Sequence, residues 1–274
     1  MWEANLSLHF KEKSNKTILY KQKHSGPLLV QRPFYPEEKV AHVYIIHPPG
    51  GIVGGDSLFL NIKTEPNTQA LVTTPAATKF YRTATSQIYA QQRQKLQISS
   101  KSKLEWLPQE TILYDQAHSK LNTSIYLEPD ALFIGWEIIC FGLPASKQNF
   151  CRGQVKQTLE VWQKDVPLLI EKGWFEGGKP VFSAPWGLNN FTVMGTLICT
   201  INSNQEILSE IRFICQTYNG SNSLCSATLL NNLLLCRYLG DKVYKTKKFF
   251  INVWKILREK IFKCKVCYPR IWDT

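Results

Sequence analysis

Residues 42–62, HVYIIHPPGGIVGGDSLFLNI, carry the pattern that decides the fold class. The run 42–46 is β-branched and aromatic, it stops at the turn formers 47–51, and a second run, 58–62, follows the glycines. Similar short runs recur along the next 140 residues with no helical pattern between them: 70–74, 88–90, 96–98, 124–127, 132–134, 155–161 and 196–200. Because a parallel α/β sheet needs alternating helices, this pattern predicts a β-sandwich, barrel or solenoid.

The pattern changes after residue 220. Ser223 is a candidate cap for a helix that carries its leucines between residues 224 and 234 and ends at Gly240. A second helix is predicted from about Lys245, with an apolar stripe that includes Trp254 and a basic opposite face that includes Arg258. No linker and no repeat of fixed period divides the chain. We therefore predict one domain over residues 1–274, with a β-rich body over 1–220 and a helical, basic portion over 221–274.

Length and charge limit the classes of function. The chain has 274 residues, of which 44% are hydrophobic. This content is enough for a large core and argues against intrinsic disorder. Its net charge is +12, and +8 of this lies in the segment 237–274, which holds 11 basic and 3 acidic residues. A basic segment predicts an acidic partner: a protein, a membrane or a nucleic acid. An RNA-binding module that uses the basic segment is therefore one alternative.

The eight cysteines lie in the second half of a chain too long to need disulfides for stability. No signal-peptide pattern opens the chain, and no apolar run reaches the roughly 20 residues of a membrane span. These features predict a cytoplasmic protein with reduced thiols and no membrane contact. Cys264 and Cys267 have the spacing of half a zinc knuckle, but no second pair of ligands accompanies them, so they are interpreted as two thiols in a basic tail.

The glycine-rich segment 48–56 is the densest local motif. It lacks the Gly-Lys-Ser/Thr of a phosphate loop and leads into a strand, which favours a structural turn. Asp56 at its end, with His47 nine residues earlier, is a candidate metal pair, and the alternative is an aspartate that binds the amides of its own turn. A metal-dependent hydrolase around these two residues is a further alternative, although no nucleophile motif accompanies them.

Six motifs together resemble the urease accessory protein UreD family, called UreH in some organisms. In chain order they are PPGGIVGGD (48–56), TTPAATKFYR (73–82), EWLPQETI (105–112), CFG (140–142), RYLG (237–240) and PRIW (269–272). The resemblance thus covers nearly the whole chain. It implies a mainly β fold, a β-helix-like stack of short-stranded sheets with a small C-terminal helical portion.

The resemblance also implies a function. Such proteins are cytoplasmic, non-catalytic maturation factors that bind urease apoprotein, the UreF-type accessory factor and, through it, the UreG GTPase. They help nickel reach the urease active site, so we expect nickel in transit, no tightly bound cofactor and no nucleic acid. The carboxylate of the Gly-Gly-Asp motif, here Asp56, is the residue carried over as a transient nickel ligand. His47 and Glu171 are added on chemical grounds alone.

Partner contacts are expected at aromatic and basic residues of the shared motifs and of the basic helix. The predicted set is Lys79, Tyr81, Arg82, Trp254, Arg258, Arg270 and Trp272. The chain departs from the family pattern at Trp136 and Leu143, where the family usually has arginine. Replacing arginine with an apolar residue removes a bidentate donor, so we expect any contact made by those arginines to differ here.

Overall fold

The structure, a computed structural model, describes residues 1–84, 88–202 and 204–273. The strands are β1 (Glu3–Lys13), β2 (Lys16–Ser25), β3 (Leu29–Val30), β4 (Ala41–Ile46), β5 (Ser57–Thr64), β6 (Gln69–Thr73), β7 (Thr78–Phe80), β8 (Ala90–Ile98), β9 (Lys103–Trp106), β10 (Thr111–Leu113), β11 (His118–Leu127), β12 (Leu132–Phe141), β13 (Gln154–Gln163), β14 (Val166–Glu176), β15 (Val193–Thr200), β16 (Ser223–Leu230) and β17 (Leu233–Gly240). The α-helices are α1 (Gln205–Tyr218) and α2 (Val243–Lys260).

The described strands form two sheets, and the chain winds alternately from one to the other. The seven-stranded sheet has the order β14-β13-β11-β8-β5-β1-β2. The path through the ten-stranded sheet is β16-β17-β15-β12-β9-β6-β4-β3, with β10 paired to β12 and β7 paired to β10. The central strands β5, β8, β11 and β13 are parallel, as are β4, β6, β9 and β12. The predicted β-helix-like stack with a small helical part is confirmed.

Successive coils of the stack have unequal lengths, which explains why no sequence period is visible. Ser57 pairs with Gln91, Gln91 pairs with Lys120, and Lys120 pairs with Lys156, at three different intervals along the chain. Antiparallel strands flank the parallel ones: β2 and β14 at the ends of the first sheet, and β15 to β17 on the second. Of the predicted strands, only 88–90 falls largely outside an observed strand, since β8 begins at Ala90.

Alternation along each strand builds the core between the sheets. In β1, Ala4, Leu6, Leu8 and Phe10 are buried while the residues between them are more accessible. This period of two places every second side chain inward. The same pattern in β5 and β11 fills the main apolar cluster, which joins inward residues of both sheets.

The predicted helix from Ser223 to Gly240 is wrong. This segment is the antiparallel hairpin β16–β17, whose turn contains Asn231 at a positive φ of 53°. Residues of β16 alternate between buried and exposed, a period of two that the run of leucines at helical spacing concealed. The pair Asn231-Asn232 is the turn signal that distinguishes the two structures.

The helix α1 lies where the sequence analysis placed none. Asn204 caps it, since its Oδ1 accepts a hydrogen bond of 3.0 Å from the Ile207 amide. Ile207, Ile211 and Cys215 are buried at intervals of four residues. The cap followed by this spacing is the signal in the sequence that predicts the helix.

The predicted helix from about Lys245 is confirmed as α2. Its apolar stripe, which includes Phe249, Phe250 and Val253, packs against β12 and β15 in a second apolar cluster. Gly195 of β15 lets the helix approach closely, because a Cβ there would lie 2.8 Å from the ring of Phe250. Within residues 1–84, 88–202 and 204–273, no helix combines the length and the apolar character needed to cross a membrane.

Candidate functional site

The glycine-rich loop and the segment 78–82 form a single wall. The Ile52 amide donates to the Lys79 carbonyl at 2.7 Å, and the Tyr81 hydroxyl donates to the Gly50 carbonyl at 3.0 Å. A Cβ on Gly51 would lie 2.5 Å from the Tyr81 ring and 2.8 Å from the Lys79 oxygen, so glycine is required for this approach. Two motifs about 30 residues apart in sequence therefore belong to one structural unit.

Behind this wall, a cavity of about 210 Å³ lies between the two sheets. The glycine-rich loop, β5, β8 and β11 contribute to its lining on one side, and β12 and the segment 106–111 on the other. The polar side chains of the lining are His47, Thr74, Thr78, Lys79, Gln92, Gln94, Gln109, Thr111, Asn122, Thr123 and Glu137. A smaller cavity also borders Thr123 and Glu137 and reaches Thr196. Glu137 thus lies where two interior spaces meet.

Glu137 of β12 is the carboxylate that faces the cavity. Its Oε2 accepts a hydrogen bond of 2.8 Å from Gln157, and its Oε1 accepts one from the Thr123 hydroxyl. Burial raises the pKa of Glu137, these two hydrogen bonds oppose the rise, and the charge of Glu171 adds to it. A carboxyl group in these surroundings favours its neutral form. A cation that binds to it must therefore displace its proton.

Glu171, one of the predicted metal ligands, is already paired. Both nitrogens at the end of the Arg237 side chain donate to its carboxylate, and the Arg237 Nη1 also donates to Thr196 at 3.0 Å. Since Glu171 lies on β14 and Arg237 on β17, the ion pair connects the two sheets. This geometry indicates a structural link near Glu137 and leaves Glu171 a poor ligand.

Asp56 holds the turn and is not among the described residues that line the cavity. Its Oδ1 accepts a hydrogen bond of 2.8 Å from the Trp2 amide, and its Oδ2 accepts one of 3.1 Å from the Val53 amide. The side chain is largely buried, with 8% of its surface exposed. Of the two interpretations the sequence allowed, the geometry matches the aspartate that binds the amides of its own turn.

His47 faces the cavity from the start of the glycine-rich loop. It is half-buried, and this burial lowers its pKa, while the charge of nearby Asp56 partly opposes the shift. A lowered pKa keeps the imidazole neutral near pH 7, and the neutral form is the one that binds metals. The predicted proximity of His47 and Asp56 agrees with this electrostatic interaction, although only the histidine lines the cavity.

The predicted partner residues divide into three groups by exposure. Arg82 and Arg270 are exposed, whereas Lys79, Tyr81 and Trp272 are half-buried. Trp272 packs against Trp136, with 5.8 Å between ring centroids, and donates to the Thr73 hydroxyl at 3.2 Å. Its exposed part is therefore limited.

Trp254 and Arg258 form the third group, and both are fully buried. The prediction that they meet a partner directly is wrong. Arg258 lies one helical turn after Trp254, so it shares the buried face of α2 instead of the solvated one. There its Nη1 donates to both oxygens of Glu105 at 2.6 and 2.8 Å, while the Trp254 Nε1 donates to the same carboxylate at 2.6 Å.

The two departures from the family pattern are placed differently. Trp136 is buried, stacks on Phe250 with 6.0 Å between ring centroids, and donates to the Pro108 carbonyl at 2.8 Å. Leu143 is half-buried next to the positive-φ residue Gly142. Trp136 therefore belongs to the core between β12 and α2.

A two-sheet parallel β-solenoid with a cavity between the sheets, lined in part by polar side chains and bordered by a glycine-rich loop, defines the class of this protein. The family model described as "UreD urease accessory protein" matches residues 3–273, so the chain belongs to this family. Proteins named urease accessory protein UreD are similar over the whole chain. Those of Nostoc sp., Citrobacter koseri and Klebsiella pneumoniae are 39%, 37% and 36% identical, and the matches cover 100% of this chain and 96%, 92% and 96% of theirs.

Proposed function

We propose that this protein is a non-catalytic urease maturation factor that passes nickel to the urease active site through its interior. Membership in the UreD family supports the role in urease maturation. The observation that carries the passage is the cavity between the sheets, with His47 at the glycine-rich loop and Glu137 at its inner end. Nickel is cargo in this proposal, and the protein keeps no tightly bound cofactor.

The lining suits a metal ion that must move on. A volume of about 210 Å³ exceeds many times the 10–15 Å³ that one water needs, so an ion can enter with part of its hydration shell. The His47 imidazole and the Glu137 carboxylate give nickel fewer protein ligands than a site that surrounds the ion completely. The glutamine and asparagine amides of the lining add weak oxygen ligands. Weak ligation favours rapid exchange, which a transfer path requires.

The role of Asp56 changes in this proposal. Because it is not among the residues that line the cavity and its two carboxylate oxygens bind backbone amides, it shapes the glycine-rich loop instead of binding nickel. His47 and Glu137 replace it as the proposed transient ligands, and the Glu171–Arg237 pair holds the sheets together beside them. The hydrolase alternative is weakened too, because of its two proposed residues only His47 lines the cavity.

The proposed partners are urease apoprotein, the UreF-type accessory factor and, through it, the UreG GTPase, in the cytoplasm and without nucleic acid or membrane. Arg82 beside the glycine-rich loop and Arg270 near the C-terminus are exposed and suit contacts with acidic protein surfaces. The RNA-binding alternative loses one of its basic groups, because Arg258 pairs with carboxylates in the interior.

A reconstitution of urease activation tests the nickel path. Glu137→Gln keeps the shape of the side chain and removes the charge, so we expect roughly tenfold slower nickel loading of urease at limiting nickel. The measurement is the nickel content of purified urease together with its activity. Glu259→Gln changes an exposed glutamate of α2 and serves as the matched control.

The outcomes separate the path from the family role. Normal loading with Glu137→Gln would refute the path through the cavity. If urease reaches full nickel content in the complete absence of this protein, the maturation role itself fails. A loss of activation with both Glu137→Gln and Glu259→Gln would point to general damage and also count against the path.

A further inference from the structure

A second group of metal-binding side chains lies beneath the C-terminal segment, away from the interior cavity. A carboxylate oxygen of Glu37, a ring nitrogen of His42 and the Cys267 sulfur all lie within 4.8 Å of one another. Metal bonds to sulfur and to imidazole nitrogen are about 2.3 and 2.1 Å long, so two ligands of one ion lie at most about 4.4 Å apart. Small side-chain rotations would bring the three atoms onto one ion.

His42 offers a ring nitrogen to this group. The side chain is completely buried, and its Nε2 lies 2.7 Å from the Glu37 carboxylate. In the tautomer that carries its proton on Nδ1, Nε2 keeps a lone pair directed at this carboxylate, and a cation between the two atoms is attracted to both. A metal ion there would replace the proton that Nε2 and Glu37 otherwise share.

The charges around the group leave room for a divalent cation. Glu37 and Glu105 are two carboxylates that share one cation, Arg258, which donates to both. With the Cys267 thiolate the negative charges number three, and Arg258 together with one divalent ion balances them.

We propose that Glu37, His42 and Cys267 bind one divalent metal ion of the zinc and nickel class. Thiolate, imidazole and carboxylate together suit these borderline metals better than magnesium or calcium. Binding forms the metal–sulfur bond and releases the thiol proton to solvent, with no change in oxidation state. The site does not depend on the nickel path, because His42 lies on the face of β4 opposite Val43 and Ile45, which point into the core between the sheets.

Such an ion would fix the C-terminal segment to the body of the protein. Cys267 follows α2, whereas Glu37 and His42 lie in the turn before β4 and in β4 itself. In the described structure this segment is also held by a hydrogen bond of 2.8 Å from the Arg258 Nε to the Lys265 carbonyl. The metal would add a link between residues 225 or more positions apart along the chain, where a cross-link constrains the unfolded chain strongly.

Titration of the full-length protein with Co²⁺ alone tests the site. A sulfur-to-cobalt charge-transfer band that saturates at one equivalent is expected, and Zn²⁺ should displace it. Cys267→Ser should abolish the band, whereas Cys264→Ser, three residues earlier in the same tail, should keep it. Glu137→Gln in the cavity should also keep it, which separates this site from the proposed nickel path.

Three results would overturn the proposal: no band in the wild-type protein, a band that survives in Cys267→Ser, or equal loss in Cys264→Ser and Cys267→Ser. The last result would mean that the two thiols of the tail bind the metal by themselves. His42→Gln tests the third ligand, and unchanged cobalt affinity in that variant would also refute the site.

Limited proteolysis gives a second readout that needs no spectral band. Lys263, Lys265 and Arg270 are trypsin sites in the segment that the metal would hold. At a Zn²⁺ concentration ten times the dissociation constant, the fraction of open, cleavable segment should fall about tenfold. Cleavage there should not respond to Zn²⁺ in Cys267→Ser. Protection of equal size in that variant would contradict the proposal.

Discussion

Two carboxylates near the cavity have different surroundings, and the surroundings decide their roles. Asp56 accepts hydrogen bonds from two backbone amides, one in its own turn and one at Trp2. Glu137 accepts from two neutral side chains, Thr123 and Gln157, and borders the cavity. The first arrangement fixes a carboxylate that shapes a loop, and the second places a carboxyl group where a cation in the cavity can reach it.

Asp56→Ala should lower the free energy of unfolding by about 1–3 kcal/mol, because it removes the acceptor of two part-buried hydrogen bonds from backbone amides. Urea denaturation followed by tryptophan fluorescence measures this change. Asp165→Ala, in the exposed turn between β13 and β14, is the control and should change stability by less than about 0.5 kcal/mol. Equal stability of Asp56→Ala and wild type would show that these hydrogen bonds contribute nothing.

Glu137 should make stability depend on pH in a defined direction. Burial raises its pKa in the folded protein, so the stability contributed by the neutral form is full below the unfolded value of about 4.3 and is lost as pH rises through the folded pKa. Glu137→Gln removes that loss. The variant should melt at a higher temperature than wild type at pH 8, and the difference should shrink toward pH 4. A constant difference across this range would contradict the assignment.

At the scale of elements, α2 holds its position through a close approach to the ten-stranded sheet. Gly195 in β15 lies beneath Phe250 and Thr246 of the helix, and the chain has no room for a methyl group there. The neighbouring hairpin β16–β17 continues the same sheet beyond β15. The hairpin therefore extends the second sheet, and the helix covers part of that sheet's outer face.

Gly195→Ala should destabilise the protein by about 1–3 kcal/mol, since the new methyl group would lie 2.8–2.9 Å from Phe250 and Thr246 and the helix would have to move. Thermal melting of the variant measures the effect. Gly220→Ala is the matched control, because a Cβ there meets no atom within 4 Å. If both variants melt at the same temperature as wild type, the helix adapts and the close approach has no energetic weight.

At the scale of the whole molecule, Arg258 connects three distant parts of the chain. It donates to Glu105 in β9, to Glu37 before β4 and to the carbonyl of Lys265 after α2. Its side chain and that of Glu105 are fully buried, so neither charge has water to replace a lost partner. A chain that ends at Gly240 would lack this link and the whole apolar stripe of α2, so we expect it not to fold.

Arg258→Ala should cost about 3–5 kcal/mol, because it leaves the buried carboxylate of Glu105 without its counter-charge. Lys260→Ala removes a pair with Glu210 at the surface of the same helix and should cost much less, because water and salt screen an exposed pair. Chemical denaturation of both variants gives the comparison. Similar values for the two would mean that the buried pair is not what holds the C-terminal part in place.

Much of the fold can be predicted from local pattern, and the failures have a common cause. Nearly all predicted strands of the body are observed, because a period of two with turn residues at the ends is a local property. The prediction of a helix in place of the hairpin β16–β17 fails because the leucines fit both periods; the turn pair Asn231-Asn232 is the local signal for the hairpin, and pairing with β15 stabilises it. Glu137 was one of several acids that the sequence could not place.

The sequence by itself determines the mainly β class, the helix α2, the family and the glycine-rich motif, since each depends on residues close together or in fixed order. Tertiary structure alone decides that His47 and Glu137 border one cavity and that Arg258 is buried. It also brings Glu37 and His42 to Cys267. These facts depend on unequal coils that bring distant residues together, and no local pattern in the chain encodes the distances between them.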